Sequence, residues 1–323
     1  MKRTFVLNGD ADGLCAAQQL TLAEGACSEL VTGPKRRTAL LQQVSAGPGD
    51  EVTVLDLSLE ANRAAAEALL AAGATLRYFD HHHAGAPLAH PRFEAHLDPS
   101  PATCTSDIVS RHLGGRHAAW AAAGAFGDNL QPLGRRLAAQ AGLGDEDSAL
   151  LERLGMLLNY NAYGDTEADL LFAPAELHRR LAGHPQPQQF VRADEAFGVL
   201  AAGYDEDMRR AAGLSASAEE AYAALYVLPD ERWARRVSGV LANRLARMAP
   251  QRAHAVLTPN AGGGLQVSVR APLARPSGAA SLCREYPSGG GREGAAGINH
   301  LPAEALPQFS RRFFEEFRRL AAA

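Results

Sequence analysis

Cysteine is sparse: four in 323 residues, Cys15, Cys27, Cys104 and Cys283, with no paired spacing. A disulfide framework and a zinc-finger site are therefore excluded, and free thiols in a reducing compartment are expected. Aromatic residues are only 6%, and the two tryptophans, Trp120 and Trp233, lie in no stacking platform for nucleobases. No apolar run approaches the length of a spanning helix, and the run behind Lys2 and Arg3 is too short for a signal peptide. The expectation is a cytoplasmic protein with no membrane partner. An excess of basic charge is missing too, since 32 Lys and Arg against 36 Asp and Glu leave a net charge of −4. No global field draws in a long polynucleotide, although a local basic stripe can act alone. The remaining composition, 46% hydrophobic and 21% charged, is that of a globular protein long enough for two domains.

What the chain does have is acid at the ends of short apolar runs. Asp10 and Asp12 stand in NGDADG, Asp56 in VLDLS, Asp80 in YFDHHH and Asp128 in FGDNL. The runs are Thr4 to Leu7, Val52 to Leu55, Thr75 to Phe79 and Ala122 to Phe126, and the first three suit buried strands. Leu14 to Ala23 and Leu59 to Ala72 read as helices, the second opened by Ser58 as N-cap, and Glu29 to Thr32 as a further strand. Alternating strand and helix predicts a mostly parallel, doubly wound α/β sheet, which binds ligands outside the carboxyl ends of its strands. Carboxylates distant in sequence then converge on one edge, joined by His81 and His82. So many like charges at close range call for cations, and mixed oxygen and imidazole ligands point to divalent ions such as Mn²⁺. Asp80 is expected to orient a histidine rather than bind metal, and His83 has no assigned role.

Residues 1–135 form the expected metal-binding catalytic domain and 136–248 a helical connecting segment, with helices at Ser148 to Leu158, Pro174 to Leu181, Ala218 to Tyr226 and Trp233 to Met248. Residues 249–323 form a smaller C-terminal α/β domain that closes over the cleft, with strands Ala253 to Leu257 and Leu265 to Arg270 and a basic amphipathic helix around Phe309 to Leu320. Between them lies GGGREGAAGI, where Gly289, Gly290 and Gly291 offer unhindered backbone N–H groups and Arg292 a forked donor for an anion.

NGDADG, Asp56, the DHH of Asp80-His81-His82 and the GDN of Gly127-Asp128-Asn129 resemble, in order and spacing, the four motifs of the DHH phosphoesterase superfamily. VSVRA followed by GGGREGAAGI resembles that superfamily's C-terminal DHH-associated domain, found in RecJ-type exonucleases and nanoRNases. The resemblance spans residues 8–298. It implies two metal ions, Mn²⁺ with Mg²⁺ as the alternative, one held by Asp10 and Asp56 and the other by Asp12, Asp56, His81 and Asp128, with Asp56 bridging. It further implies in-line attack on phosphorus by a metal-activated water, with His82 supporting the phosphoryl oxygens and Arg270 and the glycine run gripping the substrate.

Two positions depart from that pattern. Asn8 stands where the family has histidine or aspartate, so the first ion gains only a neutral amide ligand, and Arg292 stands where a histidine follows the glycines. The expected activity is a manganese-dependent phosphodiesterase that converts short oligonucleotides or single-stranded ends to nucleoside 5′-monophosphates. Two other readings stay open: a phosphomonoesterase or phosphoanhydride hydrolase acting on a small nucleotide or polyphosphate, and a catalytically weakened nucleotide-binding module. A homodimer is also left open.

Overall fold

The first apolar run is strand β1, Arg3–Asn8, buried from Thr4 onward because its side chains are covered on both faces. The computed structural model describes residues 1–322. From β1 the chain continues through helix α1 (Ala11–Glu24), β2 (Glu29–Gly33), β3 (Glu51–Leu55), α2 (Leu59–Ala71), β4 (Thr75–Asp80) and β5 (Phe93–Leu97). Helices α3 (Thr105–His112), α4 (Ala118–Gly127), α5 (Gln131–Gln140), α6 (Asp145–Ala162), α7 (Pro174–Ala182), α8 (Pro187–Ala193) and α9 (Glu195–Ala212) follow. The C-terminal part contains β6 (Ala218–Glu220), β7 (Ala223–Val227), α10 (Arg232–Met248), β8 (Ala253–Pro259), β9 (Leu265–Arg270), α11 (Ala279–Cys283), β10 (Gly289–Arg292), β11 (Ala295–Leu301) and α12 (Leu306–Ala322).

The chain divides into two compact units, residues 1–162 with 170–202, and residues 163–169 with 203–323. The helical segment expected at 136–248 is thus shared between the units instead of standing as a body of its own. No helix of the described residues is long and apolar enough to cross a membrane.

The first unit is built on a five-stranded sheet of order β2-β1-β3-β4-β5, parallel throughout. Strand order reverses at β1, so the chain leaves β1 and β3 in opposite directions and opens a crevice between their carboxyl ends. Val6, Val52, Val54, Leu76 and Tyr78 pack with Leu59, Ala66 and Leu69 of α2. The alternate residues Phe5, Leu7, Leu55 and Phe79 are buried toward the opposite face. Ser58 caps α2 as expected, accepting from the Ala61 amide at 3.5 Å.

The fourth run is a helix rather than a strand. Ala118–Gly127 is buried along its whole length, and its small residues let other backbone come close. A Cβ placed on Gly155 of α6 would lie 2.1 Å from the Ala123 carbonyl oxygen, so α4 and α6 cross at glycine distance. Asp128, the C-cap of α4, is positioned by that crossing. A second difference falls at 218–226, where alanine richness predicts helix but β6 and β7 form. Ala223, Ala224 and Leu225 are wholly or almost wholly buried within a sheet, and tertiary packing there overrides propensity.

The second unit carries a six-stranded mixed sheet, β10-β11-β9-β8-β7-β6, in which only β7 and β8 run parallel. Phe309, Phe313 and Phe317, one turn apart on α12, cover it together with Leu282 and Cys283. The basic face of that helix is largely ion-paired, Arg312 with Glu285 and Arg319 with Glu316. Arg235 and Arg236 of α10 are likewise held by Asp169 and Asp207. These arginines therefore serve the fold.

Each unit contains a buried histidine that titrates abnormally. Burial pushes His178 of α7 down to about 4, and burial with Arg252 pushes His254 of β8 down to about 4. Below the unfolded value near 6.5 the unfolded chain binds the proton that the folded chain refuses. Stability contributed by the neutral imidazole is therefore complete above that value and is lost as pH falls toward 4. We expect His178→Gln to flatten this part of the profile, reducing the loss of unfolding free energy between pH 7 and pH 4.5 by roughly 2 kcal/mol. Urea melts of both proteins at the two pH values measure it; parallel pH profiles would show that His178 is solvated in the fold.

Candidate metal and phosphoryl site

Asp10, Asp56 and Asp80 lie at the carboxyl ends of β1, β3 and β4, Asp12 in the first turn of α1, and Asp128 at the end of α4. Asp10 caps α1, its Oδ1 accepting from the amides of Asp12 (3.0 Å) and Gly13 (3.1 Å). Gly13 is required there, because a Cβ would sit 2.1 Å from the Asn8 carbonyl oxygen. Asp12, in the first turn of the same helix, points to the start of α3. Its Oδ2 accepts from the Thr105 amide (2.7 Å) and its Oδ1 from the amide (2.8 Å) and hydroxyl (2.5 Å) of Ser106. The α3 N-terminus thus places positive peptide dipole against Asp12.

Asp56 follows β3 with φ 58°, a left-handed backbone that is strained for a residue with a Cβ. Its amide donates to the Phe79 carbonyl at 3.0 Å, and its Oδ1 accepts from the Thr105 hydroxyl at 3.3 Å. Burial, reinforced by Asp10 and Asp12, pushes the Asp56 carboxyl well up. Burial also raises Asp12, with Asp128 and Asp10 adding to it against the opposing influence of His81 and Ser106. These are the signs of crowded negative charge that a cation relieves.

His81 stands at the focus. Its Nδ1–H donates to the Thr103 carbonyl (3.2 Å), which turns Nε2 toward the acids. Nε2 lies 3.3 Å from Asp56 Oδ1 and 3.5 Å from Asp128 Oδ2. Burial alone would lower this imidazole, but Asp56, Asp128 and Asp12 outweigh it and raise it to about 10. Ligand atoms of Asp12, His81 and Asp128 fall within 4.8 Å of one another, as do those of Asp56, His81 and His82. The two groups share His81, and such a mixture of carboxylate and imidazole donors suits a divalent ion. The residues present therefore fit the group.

Asp80 meets one histidine of the run. It is fully buried and its Oδ1 pairs with His82 Nδ1 at 2.7 Å, leaving the ring 44% exposed. His83 is exposed and meets Glu60 and the Gly85 amide, both at 3.3 Å, away from the acids. Cys104 is a packing residue, its thiol pushed well up by burial and by Asp12 and Asp128.

Three further contributions carry little signal in the sequence. Thr105 and Ser106 are inconspicuous in CTS, and their role emerges only because α3 begins beside Asp12. Lys35, in a basic run after β2, pairs with Asp10 Oδ2 and lies 3.7 Å from Asp128 Oδ1. Asn159, near the end of α6, accepts from Lys35 Nζ at 3.2 Å.

In the second unit, Gly289 to Arg292 form strand β10, paired antiparallel with Ala295 to Ile298. Gly289 leaves no room for a side chain, since a Cβ would meet the Cys283 carbonyl oxygen at 1.7 Å, and Gly291 has φ 132°. β10 is an edge strand, so one row of its amides stays outward. Arg270, at the end of β9, donates from Nε to Asn243 Oδ1 (2.7 Å) and from Nη1 to the Val269 carbonyl (3.0 Å). Burial pushes its guanidinium down, Tyr163 supports the charge, and nearby Arg292 opposes it.

No protein-family model and no curated protein matches the chain, whereas solved structures do. It is similar to the exonuclease RecJ bound to manganese, at 19% identity and TM-score 0.63, over 99% of this chain and 90% of that one. RecJ from Thermus thermophilus in complex with Mn²⁺ gives 20% identity and TM-score 0.62, and there the chain spans 52% of the longer protein. The pGpG-specific phosphodiesterase PggH from Vibrio cholerae gives 14% identity and TM-score 0.54, with 99% of both chains covered. Strand order, the crevice at β1 and β3, and these likenesses agree that the chain shares the fold of RecJ.

Proposed function

We propose that this protein is a divalent-metal-dependent phosphodiesterase that hydrolyses short oligonucleotides or single-stranded ends to nucleoside 5′-monophosphates. The observation that carries the reading is the convergence of Asp12, Asp56, His81 and Asp128, from four separate segments, on one crevice. Those four residues would hold the metal, Mn²⁺ by preference and Mg²⁺ as the alternative; the family resemblance implies two ions. A divalent ion in that place supplies charge stabilisation to phosphoryl oxygens and acidity to water.

The chain's own groups do the rest. Thr103 holds the Nδ1 side of His81, so its Nε2 faces the acids, where a divalent ion would take the place of the proton they favour. His82, fixed at Nδ1 by buried Asp80, keeps its other ring nitrogen at the solvent side, where it can donate to a phosphoryl oxygen. Arg270, Arg292 and the outward row of β10 amides would bind a phosphate of the substrate, the Gly289 amide excepted because it donates to the Tyr286 carbonyl at 2.9 Å. The pGpG specificity named for the Vibrio neighbour makes a dinucleotide the first substrate to try.

Assays in Mn²⁺ on a dinucleotide, a long single strand, a nucleoside 3′,5′-bisphosphate and pyrophosphate test the reading. We expect the dinucleotide to be cleaved fastest, with EDTA abolishing turnover and Mn²⁺ restoring it. Faster release of phosphate from the bisphosphate or pyrophosphate would make the protein a phosphomonoesterase or phosphoanhydride hydrolase instead. Specific binding of nucleotide without turnover of any substrate would favour the binding module.

A further inference from the structure

The Asn8 end of the crevice is built differently from the His81 end. Asn8 offers a neutral amide, whose nitrogen donates to the Lys35 carbonyl at 3.3 Å and whose oxygen is buried with no hydrogen-bond partner. Both Asp10 oxygens are engaged, and one of them by a cation where Asp12 meets only neutral donors. Its Oδ1 takes two amides of α1, and its Oδ2 is paired with the Lys35 ammonium.

Lys35 is not a loose surface side chain. Its backbone amide donates to the Ala162 carbonyl at 3.0 Å, and Pro34 precedes it. Its Nζ reaches Asn159 Oδ1 at 3.2 Å and lies 3.7 Å from Asp128 Oδ1. The side chain is 24% exposed, buried enough to be held and open enough to meet a ligand. Two differences coincide here: neutral Asn8 stands where the resembled family has an anionic or imidazole ligand, and a lysine side chain stands against Asp10. A divalent ion at Asp10 would have to displace that ammonium or lie within a few ångströms of it, and like charges at that range repel strongly.

We propose that Lys35 supplies the second positive charge of this centre, so that the protein binds one divalent ion, held by Asp12, Asp56, His81 and Asp128, beside a resident ammonium. The inference rests on the proposed metal-dependent reading and replaces the count of two ions that the resemblance implies. The charges are consistent with it: Lys35 neutralises Asp10, and one divalent ion faces the three remaining carboxylates. The ammonium's charge then offsets charge on a phosphoryl group at the centre, a task a point charge performs with little directional demand.

The test is ion stoichiometry, measured on the full chain by equilibrium dialysis against Mn²⁺ and by the electron paramagnetic resonance of the bound ion. Wild type is expected to bind one ion per chain with the spectrum of an isolated Mn²⁺. Lys35→Arg should do the same. The double variant Asn8→Asp with Lys35→Met should bind two, with the exchange-coupled spectrum of a close pair. A spin-coupled pair in wild type would overturn the proposal while leaving the metal-dependent reading intact. One ion in both wild type and a folded double variant would also overturn it, since Lys35 would then not be what excludes the second. If wild type bound no ion at all, the metal-dependent reading itself would fall. The wild-type count alone decides the first case, so the test does not depend on the variants folding.

Discussion

Asp56→Asn is expected to cut phosphodiesterase turnover by roughly a thousandfold or more, the scale of losing a group that acts chiefly in the transition state. The protein should nevertheless remain folded and be at least as stable as wild type. Asp56 lies 2% exposed among Asp10 and Asp12, and its carboxyl is pushed well up by burial and by those two acids. Its backbone is also held at φ 58°, where asparagine is the least strained replacement after glycine. An amide of the same shape keeps the turn, removes one of the crowded charges and leaves a weak neutral ligand. Steady-state assays in Mn²⁺ paired with thermal melts of the metal-free proteins measure both halves. Retention of a tenth of wild-type turnover would sink the role of Asp56 as a metal ligand. A large drop in melting temperature would mean that its carboxylate is structural.

That opposition between function and stability also explains which parts of the site are legible in the sequence. Acids at strand ends stand out because nothing about a buried strand requires them, and Asp10, Asp56 and Asp80 are found where their runs of Val, Leu and Phe stop. Asp128 is visible as a residue but not as a helix cap, because AAWAAAGAFG is buried on every side and carries no helical periodicity. Strand β5, FEAHL, is missed for the opposite reason: an edge strand with Glu94 exposed has no apolar run to announce it. The strands at 218–227 are hidden by alanine, whose local preference for helix loses to burial in a sheet. Lys35 and Asn159 leave no local trace at all. They meet through a separation of 124 residues, set by the packing of the sheet and its helices, and only the fold makes a lysine of a basic run the partner of both Asp10 and Asn159.

Arg292→Ala is expected to raise KM for a phosphate-terminated dinucleotide by about tenfold to a hundredfold while kcat changes little, because a charged hydrogen bond contributes roughly 1.5–3 kcal/mol. Arg292 sits on the edge strand β10 and is exposed, so its removal should not disturb the sheet. Arg270 is less simple, since it also holds Asn243 and lies against Tyr163, and truncating it would leave those groups without a partner. Arg270→Lys keeps the charge but loses the fork; it should weaken binding with a smaller structural cost. The decisive comparison uses the same dinucleotide with and without its terminal phosphate. If Arg292 grips that phosphate, removing either partner alone weakens binding by a similar factor, and removing both costs little more than one. Independent, additive losses would show that Arg292 acts elsewhere on the substrate. Unchanged kinetics in both Arg292→Ala and Arg270→Lys would reduce the glycine strand to a structural edge of its sheet.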